Sequence, residues 1–359
     1  MREAPAPGPG CIDSRTNNVR RNAYRPLALA FAFAISSAAA QGQLNIICSV
    51  PLPWCEAVVT QFQKDSGIKA GMTQKSAGEA MAQVAAERAN PKVDVWYTGS
   101  GDPHLQAAEL GLTEEYRSPM LSQLHEWAVR QAEQSKYHTV GVYTGALGIG
   151  YNPEILAKRK LPAPKCWADL VDPKYKGEIE TSHPGSSGTG YTILAGLVQM
   201  MGEDAAFDYL KRVHRNVTQY TRSGTAQAKS VAKGEVGIGV SFIFGFENER
   251  QQGFTMVKSA APCEGTSYEV GGIALVKGSR NREAAKRYYD WLMSPAGQSL
   301  GAKANSLQVP ANKTFKPDPK IPSIDNVRLL KYDFEKYGKA AERKRLIERW
   351  EREVNSLPR

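Results

Sequence analysis

From Leu44 onward the chain alternates short apolar runs with apolar stripes at helical spacing, and that alternation admits few folds. Leu44 to Cys48 reads as a strand, and Val58, Val59 and Phe62 mark a helix over Glu56 to Ser66 that stops at Gly67. Ile68 to Thr73 is a second strand, Glu79 to Ala89 a second helix, and Val93 to Thr98 a third strand closing on Gly99-Ser100-Gly101. A strand that is followed by a helix and then another strand pairs in parallel, because the crossover helix carries the chain back to the same end of the sheet. The expected class is α/β.

At 359 residues the chain exceeds the usual size of one hydrophobic core, so two lobes are expected. Val140 to Tyr151 is a long strand-like stretch carrying Gly141, Gly145, Gly148 and Gly150, and similar glycines mark Val270 to Val276. These read as two crossover strands whose glycines ease a bend. Between them, Tyr191 to Met201, Ala205 to His214, Thr225 to Lys233 and Val236 to Phe242 repeat the β-α alternation. The expected division is residues 41–144 and 271–359 in a first lobe and 145–270 in a second. A chain that leaves one lobe, builds another and returns makes a two-stranded hinge, which permits closure around a ligand.

The first 40 residues have the character of an export segment: Arg20, Arg21 and Arg25, an apolar run from Leu27 to Ile35, then Ala38-Ala39-Ala40. The run is far shorter than the roughly 20 residues that cross a bilayer, so cleavage after Ala40 is expected rather than a retained anchor. Arg20-Arg21 hints at a twin-arginine signal, but Val19 and Asn22-Ala23 fit that motif poorly. Cys11 precedes the apolar run and so is not placed for lipidation. Those 40 residues hold five arginines and two acids, so their removal takes the formal charge from +10 to about +7. The one basic cluster, Arg343 to Arg352, is interleaved with Glu342, Glu348 and Glu351, a solvated helix face rather than a nucleic-acid surface. Leu346, Ile347, Trp350 and Val354 lie on its other side and predict a terminal helix docked on the body.

Cys48, Cys55, Cys166 and Cys263 remain, an even number in an exported chain, which favours disulfides. Three pairings exist. Cys48 ends a strand and Cys55 begins the next helix, so their Cα atoms can reach the ~6 Å a disulfide needs, leaving Cys166 for Cys263. Zinc is the rival, but no CxxC or His-x-x-x-His pair accompanies them.

Ser186-Ser187-Gly188-Thr189-Gly190-Tyr191 precedes an apolar helix and offers hydroxyls and free amides at its positive end, the chemistry of an anion cradle or of an ordinary cap. Lys75-Ser76-Ala77-Gly78-Glu79 and Gly99-Ser100-Gly101-Asp102 also turn from strand into helix. All three should lie at the carboxyl ends of parallel strands, where ligands bind in open α/β sheets. Ser49 to Trp54 borders the same crevice, with Trp54 either a stacking platform or a packing residue. Glu264 is either a hydroxyl acceptor or an exposed loop acid.

Enzyme signatures are missing: no GxxxxGK[ST], no GxSxG, no HExxH, and no GxGxxG, so no cofactor, metal or catalytic residue is expected. His183 with Ser186 or Ser187 would make a hydrolase, but no partner acid is evident.

Asn90-Pro91-Lys92-Val93-Asp94-Val95-Trp96, Leu147 to Asn152, Cys166-Trp167-Ala168-Asp169-Leu170, Tyr175 to Ile179, Ser186 to Tyr191, Cys263-Glu264-Gly265-Thr266 and Tyr288 to Pro295 together resemble the bacterial extracellular solute-binding proteins that include ferric-ion and hexose-phosphate binders. The resemblance implies a type II periplasmic-binding-protein fold, a monomer in the periplasm that captures a small anionic solute between its lobes and hands it to the permease of an ABC importer. Ferric binders hold their metal with adjacent tyrosines, whereas the corresponding stretch Ser241 to Phe246 has none, and Tyr288-Tyr289 falls within a helix. Hexose-phosphate binders carry His-Asp where this chain has Phe244-Gly245. The resemblance therefore implies an organophosphate or phosphonate whose remaining part is less polyhydroxylated or is held by Phe244 through apolar contact.

Overall fold

The computed structural model describes residues 43–359, and the export segment expected at residues 1–40 lies outside the described residues. β1 (Leu44–Cys48), α1 (Leu52–Ser66), β2 (Ala70–Gln74), α2 (Ala77–Ala86), β3 (Val95–Ser100) and α3 (Gly101–Glu109) realise the predicted alternation. β1 pairs in parallel with both β2 and β3. α1 starts a turn earlier than the apolar stripe predicts, because Pro51 and Pro53 suit a helix start, where an amide has no partner to lose. It ends on Gly67, whose φ of 71° is the left-handed cap that glycine adopts without steric cost.

After α4 (Glu126–Gln134), β4 (Val140–Tyr151) changes partners midway. Val140 to Ala146 pair with β9 (Tyr268–Leu275), while Leu147 to Tyr151 pair with β7 (Ile238–Phe242), both antiparallel. β4 and β9 are thus the crossover strands that join two lobes. α5 (Pro153–Lys158), β5 (Ile179–Ser182), α6 (Gly188–Met201), α7 (Glu203–His214), β6 (Val217–Thr221), α8 (Ala226–Lys233) and α9 (Ile243–Gln251) build the second lobe, with β5 parallel to β6 and β7. The strand order is β2-β1-β3-β9-β4-β7-β5-β6. Short β8 (Lys258–Ala260) pairs with the last residues of β4, Ile149 to Tyr151, and β10 (Val309–Pro310) with Tyr143 and Thr144 in its first half.

The glycines of β4 serve packing more than bending. A Cβ on Gly145 would lie 2.6 Å from the ring of Phe244, and one on Gly150 would overlap the ring of Phe246, so their bare backbone admits α9 onto the strand.

Two hydrophobic cores flank the crossover. One gathers Phe62, Tyr97, Tyr143 and Leu292 from α1, the first sheet and α10 (Arg282–Met293); the other gathers Leu147, Phe207, Ile238 and Phe242. The terminal helix Ala340–Trp350 buries Leu346 and Trp350 in the second core, as its stripe predicts, and Arg345 grips Glu203 of α7 through two bonds of 2.7 and 2.8 Å. Both favoured disulfides are present, Cys48–Cys55 and Cys166–Cys263, with Cα atoms 6.0 and 4.8 Å apart. Among the described residues no helix is long and apolar enough to cross a membrane.

Candidate functional site

A cleft of about 280 Å³ opens where the carboxyl ends of both parallel sheets meet. Six helices begin on its wall: the residues just before α1, α2, α3, α6, α8 and α9 are Pro51, Ser76, Ser100, Ser187, Thr225 and Phe242, and all six line it. Three come from each lobe. The reason is topological, since in a β-α unit the helix starts where its strand ends. The first amides of a helix have no intrahelical acceptor, and its dipole places roughly half a positive charge there, so six such ends make the cleft attractive to anions. Lys75 and Arg222 add two cations to the same wall.

The loops are held with little slack. Ser76 caps α2 together with Glu79, and its Oγ also donates to the Ser186 carbonyl of the other lobe at 2.7 Å. The Gly78 amide donates to that same carbonyl at 3.1 Å. β3 exits through Thr98 and Gly99 at φ 65° and 86°, two consecutive left-handed residues. Thr98 has no glycine's freedom, and such a conformation costs roughly 1–3 kcal/mol, so it persists only because its neighbours hold it. They do: Thr98 Oγ1 accepts from the Ser49 amide, and the Thr98 carbonyl bonds His104 Nε2 at 2.9 Å.

Two carboxylates face the cleft with opposite tendencies. Burial raises Glu269 to about 8; bonds from Ser100, at 2.5 Å, and Tyr143 pull it down, and the charge of Asp102 pushes it up. Glu269 is therefore protonated at neutral pH and has a hydrogen to donate. Burial also pushes Glu79 up, but bonds from Ser76 and the Arg222 guanidinium outweigh it and hold the carboxyl below its usual range. One wall is aromatic: Phe242 and Phe244 stack with centroids 5.3 Å apart, and Tyr143 meets Phe244 edge-on at 6.3 Å.

Of the residues singled out from sequence, Ser49, Ser76, Gly99, Ser100, Ser187, Gly188, Thr189 and Phe244 meet at this cleft. Four lie elsewhere. Trp54 is buried in the first core between Tyr97 and Tyr143, with centroids 5.9 and 5.7 Å away, so it packs rather than stacks on a ligand. Tyr191 points away along α6 and donates to the Tyr337 carbonyl at 2.7 Å. Glu264 accepts from the Trp167 and Ala168 amides at 2.9 and 3.0 Å, which spends its carboxylate on a loop. Ser186 contributes its carbonyl to the lobe contact, and its hydroxyl is not on the wall.

Sequence reasoning missed Arg222, Ser223, Gly224, Thr225 and Glu269. The first four form another strand-to-helix turn, legible by the same rule once Val217–Thr221 is recognised as a strand. Glu269 is an acid inside an apolar strand that begins at Tyr268, two residues before the predicted start. Cys166, Cys263 and Glu264 cluster within 4.8 Å, but the two sulfurs are bonded to each other and supply no thiolate to a metal. Tyr288 and Tyr289 are buried in the first core, and Tyr143 is the sole phenol on the cleft wall among the described residues.

Residues 90–336 match the family of bacterial extracellular solute-binding proteins. The chain is 42% identical over 329 residues to an uncharacterised protein of Haemophilus influenzae, an alignment spanning 91% of this chain and 95% of that one. The periplasmic binding protein AfuA from Actinobacillus pleuropneumoniae, solved with exogenous fructose-6-phosphate bound, superposes with a TM-score of 0.84 at 40% identity, covering 89% of this chain and 100% of AfuA. The periplasmic binding protein P5PA superposes with a TM-score of 0.84 at 35% identity, covering 87% and 99% of the two chains.

Proposed function

The chain belongs to the bacterial extracellular solute-binding proteins, the capture subunits of ABC importers, and from that premise we propose that its solute is a small phosphorylated or phosphonate anion held in the cleft. The observation that carries the reading is the convergence of six helix starts, three from each lobe, on one wall. A phosphoryl group presents several oxygens to several amides at once, and a helix start is a ready acceptor of such charge. Ser187 and Thr189 offer hydroxyls, and Arg222 and Lys75 offer cations. Glu269, being protonated, donates to an oxygen instead of repelling it.

The remainder of the solute meets Phe242, Phe244 and Tyr143 on one side and Ser49 and Gln308 on another. That wall favours a body with an apolar face over one hydroxylated all round. A ferric centre needs several phenolates, and the wall offers one. In this reading residues 41–144 and the return from residue 271 form the first lobe and residues 145–270 the second, except that the terminal helix Ala340–Trp350, expected in the first lobe, packs in the core of the second. Closure about β4 and β9 brings the helix starts onto the solute, and a membrane permease reads the closed form. Binding occurs without turnover, in the periplasm, after removal of the leader. The solute stabilises the closed form only by its extra affinity for it.

Thermal unfolding with fructose-6-phosphate, phenyl phosphate, an alkyl phosphonate and the corresponding dephosphorylated compounds tests this. At a thousandfold excess over Kd, binding adds about 4 kcal/mol to stability, a shift of several degrees. The phosphorylated compounds should raise Tm and their neutral counterparts should not. Equal shifts for both, or release of inorganic phosphate during incubation, would sink the reading.

A further inference from the structure

β9 carries Glu269 into the cleft, and its neighbours Tyr268 and Val270 face the opposite side of the strand, where they line a separate cavity of about 510 Å³. α4 supplies Trp127 and Arg130 to that cavity, and the segment before the terminal helix supplies Lys331 and Phe334. Its floor is Gln131, 3% exposed. We propose that this rear cavity is a second binding site, taking a planar aromatic carboxylate. The inference uses no part of the importer reading.

Two observations give the ligand its chemistry. Trp127, Tyr268 and Phe334 are only half-buried, and aromatic faces left open to water gain most from a flat apolar partner. Arg130 and Lys331 have side chains with no hydrogen bond or ion pair to any described residue, and Arg130 sits close enough to Tyr268 to lower its pKa against the rise that burial causes. A guanidinium left without an acid is matched to a carboxylate by its paired N–H groups. The two acids on the rim, Asp333 and Glu335, make no ion pair with either cation, and Asp333 accepts the Lys336 amide at 2.9 Å instead.

The rear cavity also touches the cleft through a short path. Tyr332, on its wall, donates to Asp102 at 3.1 Å; Asp102 lies two residues from Ser100, which bonds Glu269.

Saturation-transfer NMR with 6-hydroxy-2-naphthoate reads occupancy directly. The wild-type protein should saturate the probe, with Kd below about 1 mM. Arg130→Gln, at an exposed residue, should weaken it at least about tenfold, as loss of a charge-assisted pair implies, with Tm unchanged. Trp127→Ala should weaken it as well, with a modest fall in Tm because Trp127 packs against the first core. The cleft variant Ser187→Ala should bind the probe like wild type. No saturation of the wild type, equal binding by the Arg130→Gln/Trp127→Ala double variant, or loss in Ser187→Ala alone would each overturn the proposal.

Discussion

Arg222 and Glu79 meet at 2.6 Å across the mouth of the cleft, joining the turn before α8 to the first turn of α2. The Arg222 side chain is 82% exposed, so this pair stabilises the fold by under about 1 kcal/mol. Its use lies in where it keeps the guanidinium, beside an anion cradle and free to exchange Glu79 for a phosphoryl group. Arg222→Gln should weaken a phosphorylated solute at least about tenfold, the worth of a charge-assisted bond, with Tm of the empty protein unchanged. Glu79→Gln keeps the cap on α2, since glutamine serves at that position, and should leave affinity equal or higher. Calorimetric titration of both variants checks this, and a larger loss for Glu79→Gln would place the acid, not the arginine, at the solute.

Gly188 sits where the two lobes touch. A Cβ there would lie 2.7 Å from the Ser100 Cβ and 3.2 Å from the Ala77 Cβ, yet alanine suits the first turn of a helix. Gly188→Ala should therefore leave the empty protein as stable as before, or more stable by up to about 1 kcal/mol, while holding the lobes apart. Affinity should fall more than tenfold, and small-angle scattering should show that solute no longer compacts the molecule. Wild-type affinity would mean that the closed form has slack at this contact.

Much of the cleft was legible because strand-to-helix turns advertise themselves: serine and glycine between an apolar strand and an amphipathic helix, as at Ser76, Ser100 and Ser187, leave the backbone few alternatives. Trp54, Tyr191 and Glu264 were harder because the direction of a long side chain is decided by partners far along the chain. Tyr191 turns from the cleft toward a carbonyl 146 residues away, and Glu264 is claimed by amides 96 and 97 residues earlier. Arg222 follows a strand whose alternation, with Thr218 and Gln219 exposed, is too polar to register. Glu269 escaped for the opposite reason, as one acid inside a buried run that otherwise reads as core.

The two disulfides should differ in weight. Cys166 and Cys263 are 97 residues apart and Cys48 and Cys55 only 7, so in the chain-entropy account the first restrains the unfolded chain by about 4.7 kcal/mol and the second by about 2.5 kcal/mol. Cys166→Ser/Cys263→Ser should lower Tm clearly more than Cys48→Ser/Cys55→Ser in denaturation measured at one pH. The reverse order would show that the short bridge matters through the geometry of the cleft edge at Ser49, not through the unfolded chain.

Glu269 makes stability and binding fall together as the medium turns alkaline. Its carboxyl titrates near its ordinary 4.5 in the unfolded chain and near 8 in the fold, so between those values the folded protein holds a proton that the unfolded chain has lost. Stability is then full below about pH 4.5, declines as pH rises, by up to about 1.4 kcal/mol per pH unit, and is lowest above about 8. Asp102, raised from 3.8 to about 6 by burial against the pull of Tyr332 and Arg343, adds a decline of the same sign that is complete by about pH 6. His104, His183 and His214, lowered by burial, add a rise of opposite sign that levels off above their ordinary 6.5. Between pH 6 and 8 the difference between the wild type and Glu269→Gln, which keeps the shape and never ionises, therefore reports Glu269: the wild-type Tm should fall relative to the variant as pH rises. Affinity for a phosphorylated solute should follow: above pH 8 a carboxylate faces the anion where a donor stood, so wild-type binding weakens while the Gln variant holds. Parallel pH profiles for the two proteins would mean that Glu269 is already ionised in the cleft and that the anion is held against it rather than with it.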